Sequence, residues 1–459
     1  MTAASALSAA RLNEMVLEEE LLFRDRHSKS SAMTVRASAA MPRGVPSSWQ
    51  ASRPHPIYLV DGLGSKVVDV DGNEYVDFHN GYGSMAVGHA HPRIVAAVSE
   101  RIARGSHFAQ PTEESIAVAE HLRERFGLPL WRFGNSGTEA TLDAVRLMRA
   151  VTGRDLILKV EGSYHGHHDA LMVSVAPPGD LVGPYDDPVS VPQTIGLPEQ
   201  VVSLTKVVPF NDLDALERTL HRYRDQVSGM IVEPAMMNAG IVLPGDGYLA
   251  GVKELLHQNG ALLAFDEVKT GATIHYGGAT GRFGVTPDIL CLAKSVGGGL
   301  PCGAIGGTEA VMSWIHSGKI DQVGTFNGNP LTMASMRVTL TEILTPDAYD
   351  RLEALSEVLR QGCDSVLEHS GLPGYTTVMC ARGSVTYRDE IVRNYRDYLE
   401  VPGEIGYLNW LVQVNRGVFL PASGKVENWT LSVQHTESDV RRYIENFQYM
   451  AAALERRAA

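Results

Sequence analysis

Asp288-Ile289-Leu290-Cys291-Leu292-Ala293-Lys294-Ser295-Val296-Gly297-Gly298-Gly299-Leu300-Pro301 sets a lysine between an apolar run and a glycine cluster. Twenty-eight residues upstream, Asp266 closes a second apolar run, Ala261-Leu262-Leu263-Ala264-Phe265. Short, bounded runs that are apolar throughout are the mark of strands buried on both faces of a parallel sheet. A lysine in this setting, downstream of an acid at a strand end, fits a cofactor aldehyde better than a solvated charge. Burial lowers the lysine pKa and lets the amine form a Schiff base. The acid can then hold a proton on a pyridine nitrogen, so that the ring accepts electrons. The cofactor this pair fits is pyridoxal phosphate.

The same pattern extends in both directions. Leu130 to Phe133, Leu156 to Val160, Gly229 to Val232, Ala261 to Phe265, Ile289 to Leu292 and Ala304 to Gly306 are further strand candidates, with helices such as Glu139 to Val151 and Leu249 to Gln258 between several of them. Alternation of this kind predicts a mostly parallel sheet covered on both faces. Upstream, Lys66-Val67-Val68-Asp69-Val70, the turn Asp71-Gly72 and Glu74-Tyr75-Val76-Asp77-Phe78 predict a hairpin. Residues 24–56, punctuated by Arg43-Gly44-Val45-Pro46 and Pro54-His55-Pro56, are expected to be an ordered loop. Helices near Asp347 to Glu368, Glu404 to Asn415 and Glu437 to Arg457 predict a smaller α+β domain. The expected division is 1–79 for an N-terminal arm and part of the small domain, 80–340 for the large domain, and 341–459 for the rest of the small domain.

Composition narrows the function. A chain of 459 residues with 44% apolar residues builds a large core. A net charge of −13 argues against a general nucleic-acid binder and against an anionic membrane surface. Cys291, Cys302, Cys363 and Cys380 show no CxxC spacing, so a reducing, cytoplasmic setting is expected, with neither a disulfide framework nor a structural zinc. No apolar run approaches the roughly twenty residues that span a bilayer. The acids Glu14, Glu18, Glu19 and Glu20 mark the segment Met1 to Phe23 as an amphipathic arm rather than a targeting peptide.

Four further segments carry polar chemistry. Gly134-Asn135-Ser136-Gly137-Thr138-Glu139-Ala140 leaves a strand and opens a helix, where backbone N–H groups and the helix dipole favour a phosphate; a plain capping box, Ser136 with Glu139, is the simpler reading. Gly324-Thr325-Phe326-Asn327-Gly328-Asn329-Pro330 repeats that logic. Ser163-Tyr164-His165-Gly166-His167-His168-Asp169 invites a metal, but adjacent His167 and His168 point in different directions in either regular structure. An aromatic-histidine pair suits stacking on a flat heterocycle better. Asn238, after Glu233-Pro234, sits where open sheets present ligands.

Together these motifs resemble the fold type I, class III aminotransferases, most closely the glutamate-1-semialdehyde aminomutase branch, from about Pro42 onward. The resemblance also rests on Asp69-Val70-Asp71-Gly72-Asn73-Glu74-Tyr75, Gly88-His89-Ala90-His91-Pro92, Pro111-Thr112-Glu113 and Asp266-Glu267-Val268. It implies a large pyridoxal-phosphate-binding domain with a mostly parallel, seven-stranded-type sheet beside the smaller α+β domain, and it implies that Lys294 is the Schiff-base lysine and the acid-base. Asp266 would bind the pyridine nitrogen of pyridoxal 5'-phosphate, with Val268 on one ring face and Tyr164, followed by His165, on the other. Ser136, Gly137 and Thr138 would hold the phosphate, and Thr325 of a neighbouring subunit would complete the cradle, so a homodimer is expected. Asn238 would lie near the ring hydroxyl, and Glu427 matches a substrate-site acid.

Departures from the family pattern bear on the substrate. The arginine that pairs with a substrate carboxylate aligns with Gln50, the usual tryptophan after the hairpin is Tyr82, and the methionine after Asp-Glu-Val is Lys269. The arginine often found shortly after that motif is missing from Ala272-Thr273-Ile274-His275. Arg43, Arg53 and Arg382 are other candidates for a carboxylate. The expected activity is amino transfer from a primary amine or amino acid, a β-amino acid included, to a keto acid or ketone by a ping-pong mechanism. A glutamate-1-semialdehyde 2,1-aminomutase is the alternative. A metal-dependent hydrolase built on His165, His167, His168 and Asp169, and a non-catalytic binding protein of this fold, are the contrasting classes.

Overall fold

The runs that end at Asp266 and Lys294 are neighbouring strands of one seven-stranded sheet. A computed structural model describes residues 9–422, 425–426 and 428–455. Pro92–Tyr349 with Val392–Glu400 form one unit, and Met1–His91, Asp350–Ile391 and Val401–Ala459 form the other.

In the first unit the sheet strands are β1 (Leu130–Gly134), β2 (Leu156–Val160), β3 (Thr205–Val208), β4 (Val227–Val232), β5 (Leu262–Asp266), β6 (Ile289–Ala293) and β7 (Gly303–Gly307), in the order β1-β7-β6-β5-β4-β2-β3. All neighbours pair in parallel except β7, which runs antiparallel to both β6 and β1. The predicted strands are therefore present within a residue or two, and β3 is an addition. Every residue of β2, β4, β6 and β7 is buried, which explains why they read as largely apolar, with Lys159 in β2 and Ser228 in β4 as the polar exceptions. The helix Gly137–Thr152 covers the sheet through Ala144, Val145 and Met148, which cluster with Ile157, Ile231, Ala264 and Cys291. It lies so close that a Cβ on Gly229 of β4 would stand 2.4 Å from Met148 Sδ.

The second unit contains the hairpin Lys66–Asp69 and Glu74–Asp77, extended by Leu59–Leu63 on one side and by Val418–Phe419 on the other. A second sheet joins Tyr375–Met379, Arg382–Thr386 and Trp429–Thr430. The expected loop over 24–56 is corrected in part: Ala9–Arg26 and Ser28–Ser38 are both helical. The second helix has little apolar periodicity, and it is held from a distance. The Asp71 carboxylate in the hairpin turn accepts from Lys29 N at 2.6 Å and Ser30 N at 3.0 Å, satisfying N–H groups of the first turn. Buried His27 ties the same region down through Tyr75 Oη at 2.6 Å, and Tyr75 donates to Asp69 at 2.7 Å. No helix among the described residues is long and apolar enough to cross a membrane.

Because Gly229 also faces Leu262 O at 2.6 Å from its missing Cβ, Gly229→Ala should destabilise the chain by about 1–3 kcal/mol. The urea unfolding midpoint of the variant measures this, and an unchanged midpoint would contradict the close helix-to-sheet packing.

Candidate active site

The carboxyl ends of β1, β2, β4, β5 and β6 deliver the polar residues, as open α/β sheets do. At the end of β5, Asp266 accepts from Val268 N at 3.0 Å through one carboxylate oxygen and faces His165 Nδ1 at 2.7 Å through the other. Both side chains are buried. An imidazole held by a carboxylate is fixed in tautomer and ring plane, so the Asp266 carboxylate is in turn fixed against rotation.

Lys294 leaves β6 with φ 54, and Gly298 (φ 60) and Gly299 (φ 96) follow within the same turn. A positive φ is uncommon for a residue with a Cβ, and such strain concentrates at functional sites. The backbone there is held by Cys302, whose thiol donates to Lys294 O at 3.7 Å.

The segment after β1 forms the cradle. Ser136 caps the helix Gly137–Thr152 by accepting from Glu139 N at 3.2 Å, and the Glu139 carboxylate accepts from Asn135 N. The simple capping reading therefore holds, and it orients the free N–H groups of the first turn at the same time. A Cβ on Gly137 would stand 2.8 Å from Val268 Cγ2, and one on Gly303 of β7 would stand 2.3 Å from Ser136 O. Glycine at both places lets the helix start approach Val268 and β7 directly. Asn135 Nδ2 donates to Asn327 Oδ1 at 3.0 Å, which brings the second phosphate-type segment to the same place. Thr325 itself is exposed, and among the described residues no hydrogen bond joins it to the cradle in its own chain.

Glu233, at the end of β4 and buried, organises the remaining loops. Its carboxylate accepts from Tyr164 N at 3.0 Å, Met237 N at 2.9 Å and Asn238 Nδ2 at 2.9 and 3.0 Å. Below it, Lys159 of β2 is fully buried and donates to Ser163 O at 2.7 Å and Val173 O at 2.5 Å. Burial pushes that ammonium down to about 7, against the attraction of Glu233. Glu233 and Lys159 both do positioning work that the sequence reading missed. The available signal was a lysine inside the otherwise apolar run Leu156-Ile157-Leu158-Lys159-Val160.

The three histidines point to separate partners: His165 to Asp266, His167 to Thr138 Oγ1 at 3.4 Å and His168 to Thr141 Oγ1 at 3.4 Å. Among the described residues no group of three or more His, Cys, Asp or Glu side chains is arranged to hold a metal ion.

The substrate candidates lie in the other unit. Gln50 and Tyr82 line a cavity of 590 Å³ with Trp49, Met85, Phe419 and Leu420. Tyr82 donates to Trp49 O, and the two rings meet edge to face at 5.9 Å. Asn80, Gly81, Tyr82 and Gly83 all have positive φ, so the turn presenting Tyr82 is a strained one. Arg382 is buried under Gly83 and donates to Thr430 Oγ1 at 2.5 Å, and Arg53 lies over the Tyr407 ring at 4.2 Å and pairs with Glu20 at 3.4 Å. Neither Arg43, Arg53 nor Arg382 lines that cavity. Glu427 lies outside the described residues.

This donor set fits pyridoxal 5'-phosphate: an amine, a fixed carboxylate and a glycine-floored helix start converge in one unit. Residues 48–376 match the family model for aminotransferase class-III. The chain is 39% identical over 423 residues to a glutamate-1-semialdehyde 2,1-aminomutase of Exiguobacterium sibiricum, covering 91% of this chain and 95% of that one. It superposes on an omega-transaminase from Sphaerobacter thermophilus with a TM-score of 0.88 at 35% identity, covering 93% and 97% of the two chains. A glutamate-1-semialdehyde-aminomutase from Pseudomonas aeruginosa in complex with PMP gives a TM-score of 0.89 at 30% identity, covering 97% and 99%.

Two expectations follow from the geometry. Gly137→Ala should push Val268 from its place and weaken pyridoxal phosphate binding about tenfold or more, as read by fluorescence titration. The second concerns Glu267, buried beside Asp266, where burial pushes the carboxyl up to about 7 against hydrogen bonds from Ala279 N and the Thr270 hydroxyl. Between pH 4.5 and about 7 the folded chain then holds a proton that the unfolded chain has released, so this group's contribution to stability is lost as pH rises through that window. Relative to wild type, Glu267→Gln should gain stability from pH 5 to pH 7.5. Parallel urea midpoints at both pH values would refute this.

Proposed function

The chain belongs to the class-III aminotransferases, and on that premise we propose that it moves an amino group from a primary amine or amino acid, β-amino acids included, to a separate keto acid or ketone. Pyridoxal 5'-phosphate, when bound, supplies the aldehyde that takes up the amino group and the ring that accepts electrons. Lys294 holds the cofactor at rest, and its amine then carries the proton at the carbon that bears the amino group. Asp266, oriented by His165, keeps the ring nitrogen protonated. Val268 and Tyr164 hold the two ring faces. Ser136, Gly137 and Thr138 anchor the phosphate, and Thr325 of a second copy completes that anchor in a homodimer. The exposure of Val323, Thr325 and Phe326 supports the second copy's part.

Gln50 carries the reading of the donor. It stands where the family pattern puts a carboxylate-binding arginine, in a cavity lined by Trp49, Tyr82, Met85 and Phe419. A neutral amide cannot form the paired, charge-assisted fork that arginine gives a carboxylate. An amine with an apolar or aromatic body and no α-carboxylate suits such a lining. The names of the relatives favour a second reading, a glutamate-1-semialdehyde 2,1-aminomutase, in which donor and acceptor are one molecule.

Single-turnover absorption separates the two. The protein loaded with pyridoxal phosphate is mixed in turn with 1-phenylethylamine, a β-amino acid, alanine, glutamate and glutamate 1-semialdehyde. Loss of the visible band with the amine or the β-amino acid is expected. A response to the semialdehyde alone, with isomerised product, would establish the second reading. Lys294→Ala should still bind the phosphate ester while turnover falls by at least roughly 10²–10⁴-fold. A variant that keeps its rate would remove Lys294 from the chemistry.

A further inference from the structure

Lys269 replaces the methionine that the family pattern has after Asp-Glu-Val, and it is half-buried. Its ammonium donates to Asn238 Oδ1 at 2.6 Å and to Met237 O at 3.0 Å. Its own backbone carbonyl accepts from the Thr273 hydroxyl at 2.5 Å, which fixes the turn that also carries Val268. On the far side of Asn238, Nδ2 donates to both oxygens of Glu233. A lysine only donates and a carboxylate only accepts, so the Asn238 amide has one permitted orientation, with oxygen toward Lys269 and nitrogen toward Glu233. A methionine at 269 would leave Asn238 Oδ1 without its donor, so that Glu233 alone would hold the amide, and it would leave the Glu233 carboxylate without the compensating charge on this side.

We propose that Lys269 is a positioning residue of this chain that locks Asn238 and sets the local positive charge beside the cofactor ring hydroxyl. The inference rests on the reading of the site as one for pyridoxal phosphate. Its logic is the continuity of one network. Lys269 adjoins Val268, Asn238 is the residue expected at the ring hydroxyl, and Glu233 also fixes Tyr164 through its backbone N–H. Hydrogen bonds from Lys269 through Asn238 and Glu233 to Tyr164, with the peptide link from Lys269 to Val268, therefore join the two residues expected on the ring faces and the one at the ring edge. The other charged groups that the neighbouring strands and strand ends carry are Glu233 after β4, Lys159 on β2, Asp266 with His165 and Glu267 at the end of β5, and Lys294 after β6. The ammonium bonded to Asn238 Oδ1 is that of Lys269.

A fixed positive charge favours whichever form of the bound cofactor carries one proton fewer, so removing it raises the pH at which that proton leaves. The test is a visible absorption titration of the holoenzyme from pH 5 to pH 10, for wild type, Lys269→Met, Lys269→Gln and Lys269→Arg. The expected result is a midpoint raised by about one pH unit in Lys269→Met. Lys269→Gln, which can still donate to Asn238 but lacks the charge, should show the same direction of shift, and Lys269→Arg should restore the wild-type midpoint. Spectra of wild type and Lys269→Met that superimpose at every pH would overturn the proposal. So would a shift in Lys269→Met that Lys269→Arg does not reverse, because that result assigns the effect to shape. If wild type itself takes up pyridoxal phosphate without a visible band, the reading of the whole site fails, an outcome distinct from failure of Lys269 alone.

Discussion

One buried carboxylate, Glu233, holds the site together. It receives the Tyr164 backbone N–H, the Met237 backbone N–H and the Asn238 amide, so loops leaving different strands end on a single acceptor. A carboxylate with several lone pairs suits this task, and each charge-assisted bond is stronger than its neutral counterpart. Removing the carboxylate would leave a buried main-chain donor at Met237 and a buried lysine, Lys159, without their compensation, a costly arrangement in an apolar interior. The order of the loops therefore depends on a residue that is not expected to touch the cofactor.

The second organising feature is close approach. The helix Gly137–Thr152 nears Val268 only because residue 137 is glycine, and it packs on β4 only because residue 229 is glycine. The helix start is thus brought to Val268 by what is missing from the side chains. The Asp266–His165 pair then fixes the third element at hydrogen-bonding distance. Amine, carboxylate and anion cradle are each anchored on regular structure, the condition for holding a reactive geometry without reorganisation.

Much of this was legible in the chain. Strand β6 reads as an unbroken apolar run, and β2 and β4 as runs broken only by Lys159 and Ser228, because both of their faces are buried, and the Ser136–Glu139 cap reads from local spacing because capping is a local interaction. What escaped the reading depends on contacts distant in sequence. The helix Ser28–Ser38 takes its N-terminal acceptor from Asp71, more than forty residues away, and its own residues carry no strong period. The Asp266–His165 bond spans 101 positions, and nothing in either segment names its partner. Lys269 was visible as a departure from a pattern, but its bond to Asn238 needed the fold. The cavity around Gln50 and Tyr82 was likewise legible as two altered residues and not as an apolar enclosure.

The lone antiparallel strand has a consequence of its own. β7 pairs Gly303 with Ala293 on one side and with Gly134 on the other, so the residue before Lys294 and the residue before the Asn135–Thr138 segment lie level across a single rung. The segment Lys294–Cys302 joins β6 to β7 and closes that rung. A slip of β7 by one residue against its neighbours would turn every one of its side chains to the opposite face. The register of one short antiparallel strand thus sets the relative height at which the segments after β1 and β6 leave the sheet.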